Sequence, residues 1–191
     1  MRTARVISEP AQDAAAYALL EARFHRSVDA TEAFLEGHAS AISLACRDMA
    51  ERFERGGRLF AFGIGGGVSD AQHVAVEFVH PVLVGKRALP AMSINAVTAA
   101  AELHALGRGT DIVFCITDGA PDAAMCAALE SAAGKGMLTL LLSASGGPSG
   151  RMADYHFAVP SDDPMITQET LETAYHVMWE LVHVFLENGR E

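Results

Sequence analysis

FAFGIGGGVSDAQHVAVEFV, residues 60–79, passes from an apolar run through Gly63, Gly65, Gly66 and Gly67 into a stretch that carries His73 and Glu77. A strand, a tight glycine turn and a helix start make an anion cradle, because free backbone N–H groups and the positive end of the helix dipole converge there. Glycine turns also arise for purely steric reasons, so this one gains meaning only from the residues after it. His73 and Glu77 stand four apart and share one helix face, and His80 falls on nearly the same stripe.

Working outward, 191 residues that are 50% hydrophobic suffice for one sizeable core. The reading is an N-terminal helical segment over 1–28 and one α/β domain over 29–191. Fourteen basic against 24 acidic residues give a net charge of −10, which repels a phosphate backbone and argues against direct nucleic-acid binding. Cys46, Cys115 and Cys126 are odd in number and lack CxxC spacing, so they read as free thiols in a reducing compartment. Residues 1–12 hold no apolar signal-peptide core, and no apolar run is long enough to span a membrane. The expectation is a soluble, cytoplasmic protein with no membrane partner.

Upstream of the quoted stretch, residues 15–26 and 29–55 show helical periodicity, and Asp29 or Thr31 is a suitable N-cap, so two N-terminal helices are expected. The second carries more apolar surface than one face of a small sheet needs, including Phe34, Leu35, Ile42, Leu44, Met49 and Phe53, which suggests a subunit interface. Strand one is expected over 58–63 and the helix after it over 70–79, stopped by Pro81. Further strands are expected at 91–94, 111–117, 137–143 and 155–159, with helices at 96–106, 122–134 and 167–188 and a loop at 144–149. The run DIVFCIT, residues 111–117, is almost continuously apolar, as a parallel strand covered on both faces must be. Strand–helix alternation with right-handed crossovers predicts a three-layer α/β/α sandwich around a parallel, flavodoxin-like sheet, whose ligands gather beyond the carboxyl ends of its strands.

The glycine turn at Gly63, Asp70-Ala71-Gln72-His73 with Glu77, Leu89-Pro90-Ala91, and Gln168 eight residues before His176 together resemble the sugar isomerase (SIS) domain family. The likeness covers roughly residues 30–187 and points to the phosphoheptose (sedoheptulose 7-phosphate) isomerase branch. It implies a homotetramer and a zinc ion, or another divalent transition metal, held by His73, Glu77, Gln168 and His176. It also implies aldose–ketose isomerisation through an enediol, with Glu77 as base and His176 as acid, groups whose pKa values can be tuned toward neutrality. The sugar or sugar phosphate is expected at Gly65, Gly66, Gly67, Thr117, Asp118 and Gly119.

Departures from the family pattern gather around the phosphate. Ile64 and Gly67 replace an asparagine and a serine, and Ile116-Thr117-Asp118-Gly119-Ala120-Pro121 replaces a hydroxyl-rich loop. Asp118 opposes a phosphate dianion at close range. Val97 and Met165 stand where aspartates near the sugar are expected, and the link from strand two to Asp111 is short.

An isolated His-x-x-x-Glu is ordinarily a solvated ion pair, but the glycine turn and the Gln168/His176 pair reverse that preference. Glu172 lies midway between Gln168 and His176, and His80 and His183 add further donors, so a second ion or a surface role is open for each. Lys86 and Arg87 read as a solvated loop pair, and Met165 and Met178 as core filling. Three function classes are open: a metal-dependent isomerase, a non-catalytic SIS-domain regulator or adaptor with a protein partner, and a metal-binding accessory protein.

Overall fold

The computed structural model describes residues 11–145 and 152–189. Its elements are α1 (Ala11–Glu54), β1 (Leu59–Ile64), α2 (Gly67–Val79), β2 (Ala91–Ser93), α3 (Ala99–Leu106), β3 (Ile112–Thr117), α4 (Ala123–Gly134), β4 (Leu138–Ala144), β5 (Tyr155–Val159) and α5 (Pro164–Asn188). All strands pair in parallel in the order β2-β1-β3-β4-β5. This is the flavodoxin-like order, with its switch point where β1 lies between β2 and β3.

Side chains alternate across each strand, and the two cores result from that alternation. Leu59, Ala61, Ile112, Phe114, Leu140 and Phe157 face α1, α2 and α5, whereas Phe60, Phe62, Val113, Cys115 and Leu141 face α3 and α4. Burial on both sides explains the uninterrupted apolar run of β3. At the amino ends of β1 and β3, the fully buried Asp111 accepts from the Arg58 backbone N–H at 2.8 Å, the Arg58 guanidinium at 2.7 Å and the Arg108 N–H at 2.9 Å. Those bonds satisfy the buried carboxylate and set the strands' register at the end opposite the glycine turn.

Two N-terminal helices were expected, and one helix of 44 residues is found. The cap preference of Asp29 and Thr31 is weak against a chain with no proline or glycine between Gln12 and Glu36. Tertiary bonds also hold the junction: Arg23 and Ser27 donate to the Glu169 carboxylate at 2.8 and 2.7 Å, and the Thr31 and Thr170 hydroxyls are 3.2 Å apart. The helix after the turn begins at Gly67 rather than residue 70, and the last helix at Pro164, where the Asp163 carboxylate accepts from the Met165 and Ile166 N–H groups. Met165 therefore sits in an exposed first turn instead of filling the core, while Met178 is buried as expected. Within the expected loop at 144–149, Ala144 closes β4 and 146–149 lie outside the described residues, as do residues 1–10. No helix among the described residues is long and apolar enough to cross a membrane.

Gly63 and Gly67 allow α2 to start against the ends of β1 and β3. A Cβ on Gly63 would strike the Gly67 carbonyl and lie 2.8 Å from the Ile116 carbonyl oxygen, and a Cβ on Gly67 would strike that same Ile116 oxygen. All of these neighbours are backbone, which cannot rotate away. Gly63→Ala is expected to lower unfolding free energy by about 1–3 kcal/mol through overpacking. Urea denaturation checks this, and an unchanged midpoint would show that the turn has room to relax.

Candidate active site

The turn between β1 and α2, the turn between β3 and α4, and one face of α5 meet at the carboxyl end of the sheet. Apolar positions Ala71, Val74, Ala75 and Phe78 seat α2 on the core and turn His73 and Glu77 toward α5. On α5, Leu171, Ala174, Tyr175 and Met178 are buried, which directs Gln168, Glu172 and His176 to the same meeting line at four-residue steps. The Trp179 indole N–H donates to the Glu77 carbonyl at 3.1 Å and ties the two helices together at the level of the site.

Glu77 Oε1 lies 3.4 Å from His73 Nε2 and 3.3 Å from His176 Nε2. The Glu77 side chain is 12% exposed, against 39% and 42% for the imidazoles, so the shared oxygen lies beneath two partly open rings. Four-coordinate zinc with bonds of about 2.0–2.1 Å sets neighbouring ligand atoms about 3.3–3.4 Å apart. Glu77 Oε1 thus stands at a tetrahedral-edge distance from each imidazole nitrogen, and imidazole with carboxylate suits zinc and its divalent neighbours. His73, Glu172 and His176 also offer ligand atoms all within 4.8 Å of one another.

Which nitrogen faces which group separates Glu77 from Glu172. Glu77 meets His73 at Nε2, whereas Glu172 Oε1 is 3.8 Å from Nδ1 and the Tyr175 hydroxyl is 3.0 Å from Nδ1. Burial pushes the Tyr175 phenol up, helped by the negative charges of Asp70, Glu172 and Glu77, so its hydroxyl keeps its proton. The Tyr175 hydroxyl and His73 Nδ1 share one hydrogen bond, and the tautomer with its proton on Nδ1 would leave the Nε2 lone pair free on the side of Glu77. In that arrangement Glu172 and Tyr175 orient the ring from behind.

Gln168 shares the α5 stripe but is turned away from the imidazoles. Its Nε2 donates to Asp70 Oδ1 at 3.3 Å, and its Oε1 would lie 2.9 Å from a Cβ on Gly66. Asp70 is 5% exposed, and its Oδ2 has no partner among the described residues. Burial raises the Asp70 carboxyl, the Gln168 N–H draws it back, and the charges of Glu172, His73 and Asp118 act in turn up, down and up.

At the glycine turn, the Gly66 N–H donates to Asp118 Oδ2 at 3.1 Å, and Asp118 Oδ1 covers Gly65, whose φ is +61°. Thr117 is 1% exposed, and its hydroxyl accepts from the Gly119 N–H at 3.2 Å. Beside the turn lies a cleft of about 480 Å³ between Gly63–Gly65, Val68 and Gln72 on one side and Ser93–Val97 on the other. Of the expected substrate residues Gly65 lines this cleft; Gly66 and Asp118 are joined by their hydrogen bond beside it, Gly119 is held by Thr117, and Gly67 and Thr117 are buried.

His80 is exposed beyond the end of α2, and His183 is 1% exposed, its ring nitrogens 2.9 and 3.0 Å from the Trp179 and Arg87 carbonyl oxygens. His183 stacks on Phe78 in the core and is removed from the ligand stripe. Tyr175 and Trp179 were not anticipated as site residues. Their signal lay in helix geometry, since they flank His176 on the buried side of the same stripe.

No family model matches the chain. The phosphoheptose isomerase of Solidesulfovibrio magneticus is 33% identical over 168 residues, covering 80% of this chain and 82% of the relative. That of Desulfovibrio desulfuricans is 35% identical over 173 residues, covering 81% of each. Among solved structures, a phosphoheptose isomerase from Francisella tularensis superposes with a TM-score of 0.79 at 24% identity, covering 88% of this chain and 98% of that one. The structural likeness shows the shared fold; identity at a third of the positions across four-fifths of each chain shows more, and the chain belongs to the phosphoheptose isomerase family.

Proposed function

We propose that the chain is a metal-dependent aldose–ketose isomerase that works through an enediol on a sugar or sugar phosphate. The observation that carries this reading is one carboxylate oxygen shared between two imidazoles from two helices, Glu77 between His73 and His176. In this reading His73, Glu77 and His176 would hold zinc or a related divalent ion, with Gln168 as the fourth residue of the set. Such an ion, when bound, would supply polarisation of the sugar carbonyl and stabilisation of negative charge on its oxygen.

For a 2-ketose, Glu77 takes a proton from C1 while His176 gives one to O2, and the electron pair of the C1–H bond becomes the C1–C2 double bond of the enediol. His176 then takes the O1 proton as the C1 carbonyl forms, which restores the acid, and Glu77 returns its proton to C2. One carbon-bound proton has moved by one atom, and no electrons are gained or lost. Relatives named phosphoheptose isomerases support this reaction class. A homotetramer in the cytoplasm completes the reading; Tyr17, Leu19, Leu20, Phe24 and Val28, which leave one end of α1 apolar and exposed, support a subunit interface there.

The non-catalytic alternative, a regulator, adaptor or metal-binding accessory protein, draws support from Asp118, which lies across the glycine turn. Proton NMR in heavy water separates the readings, with zinc-loaded protein given sedoheptulose in one sample and its 7-phosphate in another. Deuterium is expected to enter at C1 of at least one of them and to stop doing so in Glu77→Gln; no exchange with either would remove the isomerase reading. Glu77→Ala and His176→Ala are each expected to lose stoichiometric zinc while keeping the circular dichroism of the fold. Unchanged zinc content would dismiss the proposed ligand set.

A further inference from the structure

The two turns that a doubly wound sheet offers to an anion, after β1 and after β3, each already hold a carboxylate of this chain. Asp118 Oδ2 accepts the Gly66 N–H at 3.1 Å, and its other oxygen covers Gly65. A Cβ on Gly66 would lie 2.9 Å from both Asp118 Oδ2 and Gln168 Oε1, so these two side chains roof the turn. After β3, Pro121 has no N–H to offer, and the Asp122 carboxylate accepts the Met125 N–H at 2.8 Å as the N-cap of α4. The donors that attract phosphate to helix starts are thus matched with internal negative charge.

The surrounding groups do not offset that charge. Among the described residues, no lysine or arginine pairs with Asp70, Glu77, Asp118 or Glu172. The cleft that shares Gly65 with this turn is lined by neutral side chains, Ile64, Val68, Gln72, Ser93, Asn95 and Val97. Amides and a hydroxyl suit sugar hydroxyls, and a carboxylate with spare lone pairs accepts hydrogen bonds from a polyol. Placing a dianion within a few ångströms of Asp118 sets like charges together, with a penalty that grows as water is excluded.

We propose that the sugar end lodged at the glycine turn is an uncharged polyol, and that Asp118 both binds its hydroxyls and excludes a terminal phosphate. This rests on the isomerase reading of the His73–Glu77–His176 site. It assigns the chain an unphosphorylated sugar, and it makes Asp118 the residue that determines specificity.

Titration calorimetry of the zinc-loaded full chain with sedoheptulose and with sedoheptulose 7-phosphate tests it. The neutral sugar is expected to bind about tenfold or more tightly than its phosphate, and Asp118→Asn and Asp118→Ser to raise phosphate affinity by about the same factor. Asparagine keeps an acceptor for the Gly66 N–H, so that variant changes the charge and spares the turn. Wild-type protein that binds the 7-phosphate as tightly as the neutral sugar, or binds neither, overturns the inference, as does a phosphate affinity that neither substitution raises. Failure of the isomerase reading shows separately, as absent deuterium exchange from sugars that nonetheless bind.

Discussion

The contact on which the site depends is between backbones: the first turn of α2 rests on the ends of β1 and β3 at Gly63, Gly67 and the Ile116 carbonyl. Side chains at either glycine would hold the helix off the sheet. Because the approach is close, α2 leaves the sheet with Val74 and Phe78 on the core and with His73 and Glu77 facing α5. The Trp179–Glu77 bond and the Tyr175–His73 bond then fix how the two helices meet. A displacement of about 1 Å at the turn would be passed along a rigid helix to both His73 and Glu77.

Electrostatics give that meeting line its character. Glu77 and Glu172 lie against two histidines, Asp70 meets the Gln168 amide, and Asp118 meets the Gly66 backbone N–H. A divalent cation between Glu77, His73 and His176 would relieve much of the crowding, whereas a phosphate dianion would worsen it. The same charge pattern therefore favours a metal at one end of the site and a neutral ligand at the other. Family membership is compatible with the proposed neutral sugar, since a changed substrate end would leave chemistry at the two carbons nearest the carbonyl untouched.

Much of this was legible in the sequence because strong local signals carried it. Gly56 and Gly57 before β1 and Pro81 after α2 mark boundaries through backbone sterics, and the DIVFCIT run marks β3 through its continuous apolar character. What depended on long-range contacts was not legible. The unbroken course of α1 past Asp29 is secured by Glu169 and Thr170, more than 130 residues away in the chain. Periodicity placed Gln168, Glu172 and His176 on one face but could not show that Gln168 turns to Asp70, or that Glu172 meets His73 at the nitrogen opposite Glu77. Asp118 was visible as an obstacle to phosphate; its seat on the Gly66 N–H appears only when two loops 52 residues apart are brought together.

Whether Glu77 and the two imidazoles hold a metal is decided by anomalous diffraction at the zinc edge from crystals of the zinc-loaded chain. A peak is expected between Glu77 Oε1, His73 Nε2 and His176 Nε2, about 2.0–2.1 Å from each. Zinc found elsewhere, or no peak at that position in fully loaded protein, would contradict the proposed centre.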